Sequence, residues 1–275
     1  MKRKLNKREI RKFRKVIWDY YRTHGRHELP WRKTKSAYRI LVSEIMLQQT
    51  QVERVIPKYR QFIKTFPSIS SLGKASLTEI IAVWQGLGYN RRAVSLYKIA
   101  DILKKQYRER VPSSPEVLKT LPGIGEYTAS AITAFAYNKP VLFIETNIRT
   151  VYIHFFTSGR KKVHDSEIKA LLEQTVDNGQ IREWYYALMD YGAMLKKKHR
   201  YLNTRSIHYS RQSRFEGSTR QVRGRIIRLL SENGPASKQK LRNSLELSDH
   251  NLDDILDKLR HDGLIIKYGS LYGIA

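Results

Sequence analysis

At 275 residues the chain is long enough for one large domain and a small one, and its 52 Lys and Arg against 25 Asp and Glu leave a formal charge of +27. A charge of that size exceeds what solubility needs and points to a polyanionic partner, DNA being the natural one. The absence of cysteine excludes disulfides and thiolate-bound metal, and no apolar run reaches the roughly 18 residues of a membrane-crossing helix. The basic N-terminus MKRKLNKREIRKFRK lacks the apolar core of a secretory signal, so a soluble, cytoplasmic protein without membrane contact is expected.

Hydrophobic periodicity predicts helices almost continuously to about residue 200, over 6–23, 37–49, 51–65, 76–85, 90–107, 146–157, 165–176 and 181–195, punctuated by Pro57, Pro67, Pro112, Pro122 and Pro140. The first sets Phe13, Val16, Ile17 and Tyr20 on one side and leaves its basic residues on a solvated face. The second leads into LVSEIMLQQTQV (Leu41–Val52), where Ile40, Leu41, Glu44, Ile45, Leu47 and Gln48 fall at helical spacing and put one carboxylate on an apolar face. A carboxylate there is either paired or chemically active. Burial raises a glutamate's pKa, and a proton held at neutral pH can pass to a leaving group, as general-acid cleavage of a glycosidic bond requires.

Farther along, Leu121-Pro-Gly-Ile-Gly125 forms a tight turn between helical patterns at Pro115 to Thr120 and Tyr127 to Tyr137. Gly123 and Gly125 allow close backbone approach, and the next helix offers unpaired N–H groups, a site that fits a DNA phosphate; an ordinary helix connector has the same signature. Glu145 stands just before a helix beginning near Asn147, where an anion is also a favourable cap. Residues 203–218 are polar and basic and read as a linker, with a path along DNA as the other reading. From Thr219 the pattern is a helix (Val222 to Leu230), a short helix (Lys238 to Ser244), a longer one (Asp249 to Leu259) and two strands around Gly269-Ser270, the order of a winged helix. That last segment has ten Lys and Arg against seven Asp and Glu, leaving 42 against 18 for residues 1–218. The groove-reading helix of a winged helix here carries Asp249, Asp253, Asp254 and Asp257 against Lys258 and Arg260, so base reading is not expected and closure over the preceding domain, or a protein partner, is, with backbone contacts to DNA at most. The eight histidines show no ligand spacing; no metal and no cofactor is assigned.

The stretches LPWR (Leu29–Arg32), SEIMLQQTQV (Ser43–Val52), GLGYNRRA (Gly86–Ala93), LPGIGEYTASAI (Leu121–Ile132), ETNIRTV (Glu145–Val151) and MDYGAM (Met189–Met194) follow the order found in MutY-type adenine DNA glycosylases of the helix-hairpin-helix superfamily, which the chain resembles from about Glu28 to Met194. The resemblance implies an all-α helix-hairpin-helix DNA glycosylase fold over 1–202, to which the residue pattern adds a basic linker over 203–218 and a small winged-helix α+β domain over 219–275. In that family the glutamate of SEIMLQQT protonates the base, a role that falls on Glu44. The family's second carboxylate, usually an aspartate, steadies the cationic sugar; here that place is taken by Glu145, with Asn147 expected to hold it and the DNA backbone. Gln49 and Tyr89 are expected to enter the duplex around the extruded nucleotide, while Gly123, Gly125, Thr128, Lys196, Lys197 and Lys198 hold the strand. Trp31, Arg32, Leu47 and Asp190 are the expected walls of the base pocket, core packing being the other reading of Trp31 and Tyr89.

Tyr127 stands where bifunctional relatives such as endonuclease III carry a lysine nucleophile. A phenol forms no Schiff base with the sugar, so the resemblance implies a monofunctional enzyme that leaves an abasic site. Many relatives bind an iron–sulfur cluster through four cysteines just after MDYGAM; this chain has Leu195-Lys-Lys-Lys-His there, and no cluster is expected. The segment after Thr219 does not resemble the domain with which full-length relatives recognise 8-oxoguanine. The expected substrate is double-stranded DNA with a mismatched or damaged base, adenine first, with thymine or uracil removal and non-catalytic lesion binding as alternatives. A monomer is expected.

Overall fold

Caps and periodicity set the helices of the computed structural model, which describes residues 3–199, 201–211, 214–245 and 249–275. Lys2, Arg200, Gln212, Ser213 and the side chain of Asp249, on which parts of the basic-terminus, linker and acidic-helix readings fall, lie outside the described residues. α1 (Lys7–His24) starts on Asn6, whose side chain accepts the Glu9 amide while the Glu9 carboxylate accepts the Asn6 amide. It buries Phe13, Ile17 and Tyr21, each one turn apart. α2 (Ala37–Leu47) is apolar on nearly every side, and Ile40 to Met46 are all buried, Glu44 among them at 4% exposure.

α3 (Val52–Thr65) runs straight through Pro57. Pro57 and Glu53, whose carbonyl loses its helical donor, are both exposed, a place where the lost bond costs least. α4 (Ile69–Lys74), which periodicity missed, and α5 (Leu77–Trp84) each begin on a serine cap, Ser68 and Ser76. α6 (Arg91–Gln106) follows the glycine turn at 86–90, α7 (Pro115–Leu118) and α8 (Glu126–Tyr137) flank the hairpin, and α9 (Thr146–Phe156), α10 (Asp165–Thr175) and α11 (Ile181–Lys198) follow.

The chain divides into two compact units, Met1–Ile40 with Ser113–Lys119 and Ile124–Arg211, and Leu41–Pro112 with Thr120–Gly123 and Gln212–Ala275. In the first, α9 and α11 lie along one another and α1 packs on α11. The Phe13 ring meets those of Tyr152, Phe156 and Trp184 at 5.4, 5.0 and 6.0 Å. Tyr185 stacks on Phe143 at 3.9 Å and its hydroxyl donates to the Val141 carbonyl at 2.6 Å, fixing the extended stretch that delivers Glu145 to α9. The start of the expected linker is tied to this unit: Leu202–Arg205 forms a 3-10 turn and Ser206 pairs with Val163 in a parallel bridge.

The second unit ends in α12 (Thr219–Asn233), β1 (Ala236–Ser237), α13 (Lys238–Leu245), α14 (Asp249–His261), β2 (Ile265–Tyr268) and β3 (Leu271–Ile274). The strands form an antiparallel sheet in the order β1-β3-β2, with Lys267 opposite Tyr272, the arrangement of a winged helix. Two-residue β1 is too short for any periodicity to reveal. α12 buries Ile226, Ile227 and Leu230 and packs on α5, while Asp262 pairs with Arg223 and, at 3.4 Å, with Arg91. Residues 41–112 thus group with the C-terminal segment.

Arg92 organises this unit from within. Only 7% exposed, it donates to the carbonyls of Ile45 (3.1 Å), Met46 (2.7 Å) and Gln48 (2.6 Å) at the end of α2, and to that of Gly88 (2.9 Å). A lysine offers no planar fork for acceptors on two segments. Arg92→Lys is therefore expected to cost about 2 to 4 kcal/mol, read as a lower urea midpoint for the whole chain. An unchanged midpoint would show that these carbonyls find other donors.

Candidate active site

In the second unit the residues singled out by the sequence collect at the two turns that Arg92 holds. Glu44 is buried in the last turns of α2, and Leu47, at its end, is half-buried. Gln49 is exposed with φ 54°, and Tyr89 is half-buried with φ 48°, both in the left-handed region that side chains other than glycine seldom adopt. Such strain persists only where the surroundings over-determine it, and here the carbonyl of the preceding residue, Gln48 or Gly88, is captured by Arg92 in each case. The Gln48 side-chain amide donates to the Gly123 carbonyl at 3.2 Å, tying the first turn to the hairpin. Gly123 has φ 76°, and a Cβ there would meet the Ser95 hydroxyl at 2.6 Å. Burial brings the Arg92 guanidinium down to about 10, which leaves it charged near neutrality.

The first unit places Glu145 as the N-cap of α9. One carboxylate oxygen accepts from the amides of Asn147 (2.8 Å) and Ile148 (2.9 Å), and the other from the Asn147 side chain (3.2 Å). The extra methylene of glutamate over aspartate is taken up by this return to the helix end. Burial pushes the Glu145 carboxyl above the usual range, although the Asn147 and Ile148 amides and the Lys196 charge oppose it. Asn147 itself is fixed from behind: a Cβ on Gly192 of α11 would lie 2.2 Å from the Asn147 carbonyl oxygen, so only glycine lets the two helices approach this closely.

Gly125 caps α8 with open space where a side chain would stand, and Tyr127, second residue of that helix, packs its ring edge-on against Phe143 at 5.6 Å. Thr128 is buried at 3% exposure, its side chain turned away from bulk solvent. Asp190 and Arg32 are buried against one another at 2.7 and 2.9 Å, with Arg26 as a second partner at 2.6 Å, and Arg32 lies 4.3 Å over the Tyr186 ring. Burial raises the Asp190 carboxyl, but the two arginines hold it below the ordinary aspartate range. Trp31 is buried at 4%; Lys197 and Lys198 are exposed at the end of α11, with Lys196 half-buried.

Sequence reasoning missed the roles of Arg92 and Gly192. Each left a signal: an arginine at helical spacing with apolar Leu96 and Ile99, and a glycine inside a long helical run, which marks a close approach.

The model for HhH-GPD superfamily base excision DNA repair proteins matches residues 42–177. The chain is 38% identical over 187 residues to the adenine DNA glycosylase of Buchnera aphidicola subsp. Baizongia pistaciae (strain Bp), covering 66% of this chain and 52% of that protein. It is 34% identical over 263 residues to the adenine DNA glycosylase of Mycolicibacterium smegmatis (strain ATCC 700084 / mc(2)155), covering 88% and 89%. Among solved structures, a thermostable thymine-DNA glycosylase matches with a TM-score of 0.61 and 27% identity, over 68% of this chain and 87% of that one. The chain spans about half the length of the Buchnera protein.

Two substitutions test the geometry around Glu145. In an ordinary helix Gly→Ala stabilises by about 1 kcal/mol, whereas Gly192→Ala is expected to destabilise by about 1 to 3 kcal/mol because Asn147 must move. A raised thermal midpoint would mean that the approach is looser than it stands here. A folded-state pKa above the unfolded one means that Glu145 binds its proton more tightly in the folded protein, so its ionisation lowers stability as pH rises through the ordinary glutamate range. Glu145→Gln should match the parent chain in acid, near about pH 4, and melt higher near about pH 7. A lower midpoint at neutrality would show that the cap depends on the charge.

Proposed function

The chain belongs to the HhH-GPD superfamily of base excision DNA repair proteins, and from that footing we propose that it is a monofunctional DNA glycosylase acting on adenine mispaired in duplex DNA. Glu44 gives its proton to the base, the bond to deoxyribose breaks, Glu145 as an anion steadies the cationic sugar, and water completes the displacement to leave an abasic site. The observation that carries the reading is Glu44 itself, a carboxyl buried at 4% exposure among the buried residues Ile40 to Met46 of α2, at the position where the family it resembles carries its proton donor. Tyr127 in place of an amine supports simple hydrolysis over a covalent lyase step. Gln49 and Tyr89, on their strained turns, fill the space left by the extruded nucleotide, and the exposed lysines at the end of α11 hold phosphates. The protein acts as a monomer on DNA in the cytoplasm. No helix among the described residues is long and apolar enough to cross a membrane.

A second reading, excision of thymine or uracil from a mismatch, is favoured by the likeness to the thermostable thymine-DNA glycosylase. Labelled duplexes carrying A opposite G, A opposite 8-oxoguanine, T opposite G or U opposite G, cleaved by alkali after incubation, separate the two. In the same assay Glu44→Gln should bind its duplex as the parent does but release base roughly a hundredfold more slowly or worse, the contribution of a general acid. Undiminished release by that variant removes Glu44 from the chemistry, and binding by the parent without release from any duplex would leave a lesion binder.

A further inference from the structure

The C-terminal winged helix is joined to the rest of its unit at one place of particular chemical interest, the turn that presents Tyr89. Arg220, second residue of α12, donates to the Tyr89 hydroxyl at 2.6 Å, and its guanidinium lies 5.4 Å from the centre of the Tyr89 ring and 5.5 Å from that of Phe215. The start of α12 that carries Arg220 is fixed twice over: Ser218 caps it by accepting the Gln221 amide, and the Gln221 side chain accepts the Gly217 amide at 2.8 Å. Two residues beyond Tyr89, Arg91 is bound by Asp262, which follows α14 in the same winged helix, and Asp262 also pairs with Arg223 of α12. From inside, Arg92 takes the Gly88 carbonyl and sets its guanidinium 5.4 Å from the same tyrosine ring. Tyr89 is thus tied by its hydroxyl, its ring and its neighbours while its backbone sits at φ 48°.

We propose that Arg220 is a positioning residue for Tyr89, so that the winged helix serves as the brace that aims this ring at the duplex and does not itself read bases. The composition of α14 agrees with that division of labour, since Asp253, Asp254 and Asp257 outnumber its Lys258 and Arg260 and leave no net positive charge for phosphate, and Asp253 is already engaged with Lys238 at 2.7 Å. The hydrogen bond fixes the direction of the phenol, and the packing of α12 on α5 makes the fixing point rigid. The inference rests on the reading above that Tyr89 enters the duplex.

The test uses the full chain and a duplex with A opposite G and 2-aminopurine beside the mismatch, whose fluorescence rises when the stack opens. Arg220→Ala and Tyr89→Phe should each reduce both the fluorescence rise and single-turnover base release by roughly tenfold, the worth of one charge-assisted hydrogen bond, with the double variant no worse than either alone. Arg220→Lys should recover part of the signal. Losses that multiply in the double variant, or no loss in Arg220→Ala and Tyr89→Phe while Tyr89→Ala abolishes the signal, would overturn the brace and leave Tyr89 in the duplex. An unchanged signal in Tyr89→Ala would remove Tyr89 from the duplex altogether. If Arg220→Ala melts far below the parent, Tyr89→Phe, which deletes one oxygen, decides the matter alone.

Discussion

Arg92 carries a full positive charge into the interior of the second unit and finds carbonyl oxygens there: those of Ile45, Met46 and Gln48 at the end of α2, and that of Gly88 in the glycine turn. Burying a guanidinium is costly unless its donors are satisfied, and the end of a helix supplies acceptors that already carry partial negative charge. The arrangement repays the cation's desolvation and ends α2 at the same time. It also fixes where the chain leaves that helix, and so the left-handed residues Gln49 and Tyr89 stand on opposite sides of one charged group in the bonding network. The winged helix adds its own grip on the second of these turns.

The first unit uses the opposite sign at the opposite kind of helix end. Glu145 sits at the N-terminus of α9, where the amides of Asn147 and Ile148 point at it, and it remains an acid that burial makes weaker than usual. Asp190 shows the contrast: buried, it is met by two guanidinium groups and stays a stronger acid than usual. Two carboxylates in one unit are thereby poised differently, one neutralised by partners and locked into structure, the other with only hydrogen bonds and a more distant lysine to oppose desolvation. That difference separates a carboxylate held ionised by its partners from one that burial holds towards its protonated form.

Much of this was legible in the residues alone. Helices with a cap at their start and apolar residues a turn apart, such as Asn6 to His24 or Ser76 to Trp84, were found within a residue or two, because local rules decide them. α4 was missed since six residues hold too little periodicity, and β1 since two residues hold none. Glu44 could be singled out because a carboxylate in an apolar context is conspicuous, and Glu145 because it stands where the family that the chain resembles carries its second carboxylate. What could not be read were relations between distant segments: that Arg92 faces the end of α2, that Gly192 backs onto Asn147, or that residues 41–112 pack with the C-terminal segment. Local composition says nothing about which carbonyl an arginine will find. Asp190 illustrates the same limit, since nothing near MDYGAM reveals that its partners, Arg26 and Arg32, come from the region of LPWR.

The notch at Gly192 has a bearing on inheritance. Any missense change in its codon adds at least the one carbon for which there is no room beside the Asn147 carbonyl, 2.2 Å away, so every alternative amino acid there disturbs the segment holding Glu145. For a protein whose proposed work is to keep genomes faithful, that codon is a point of self-reinforcing failure: one copying error within it would weaken the correction of those that follow.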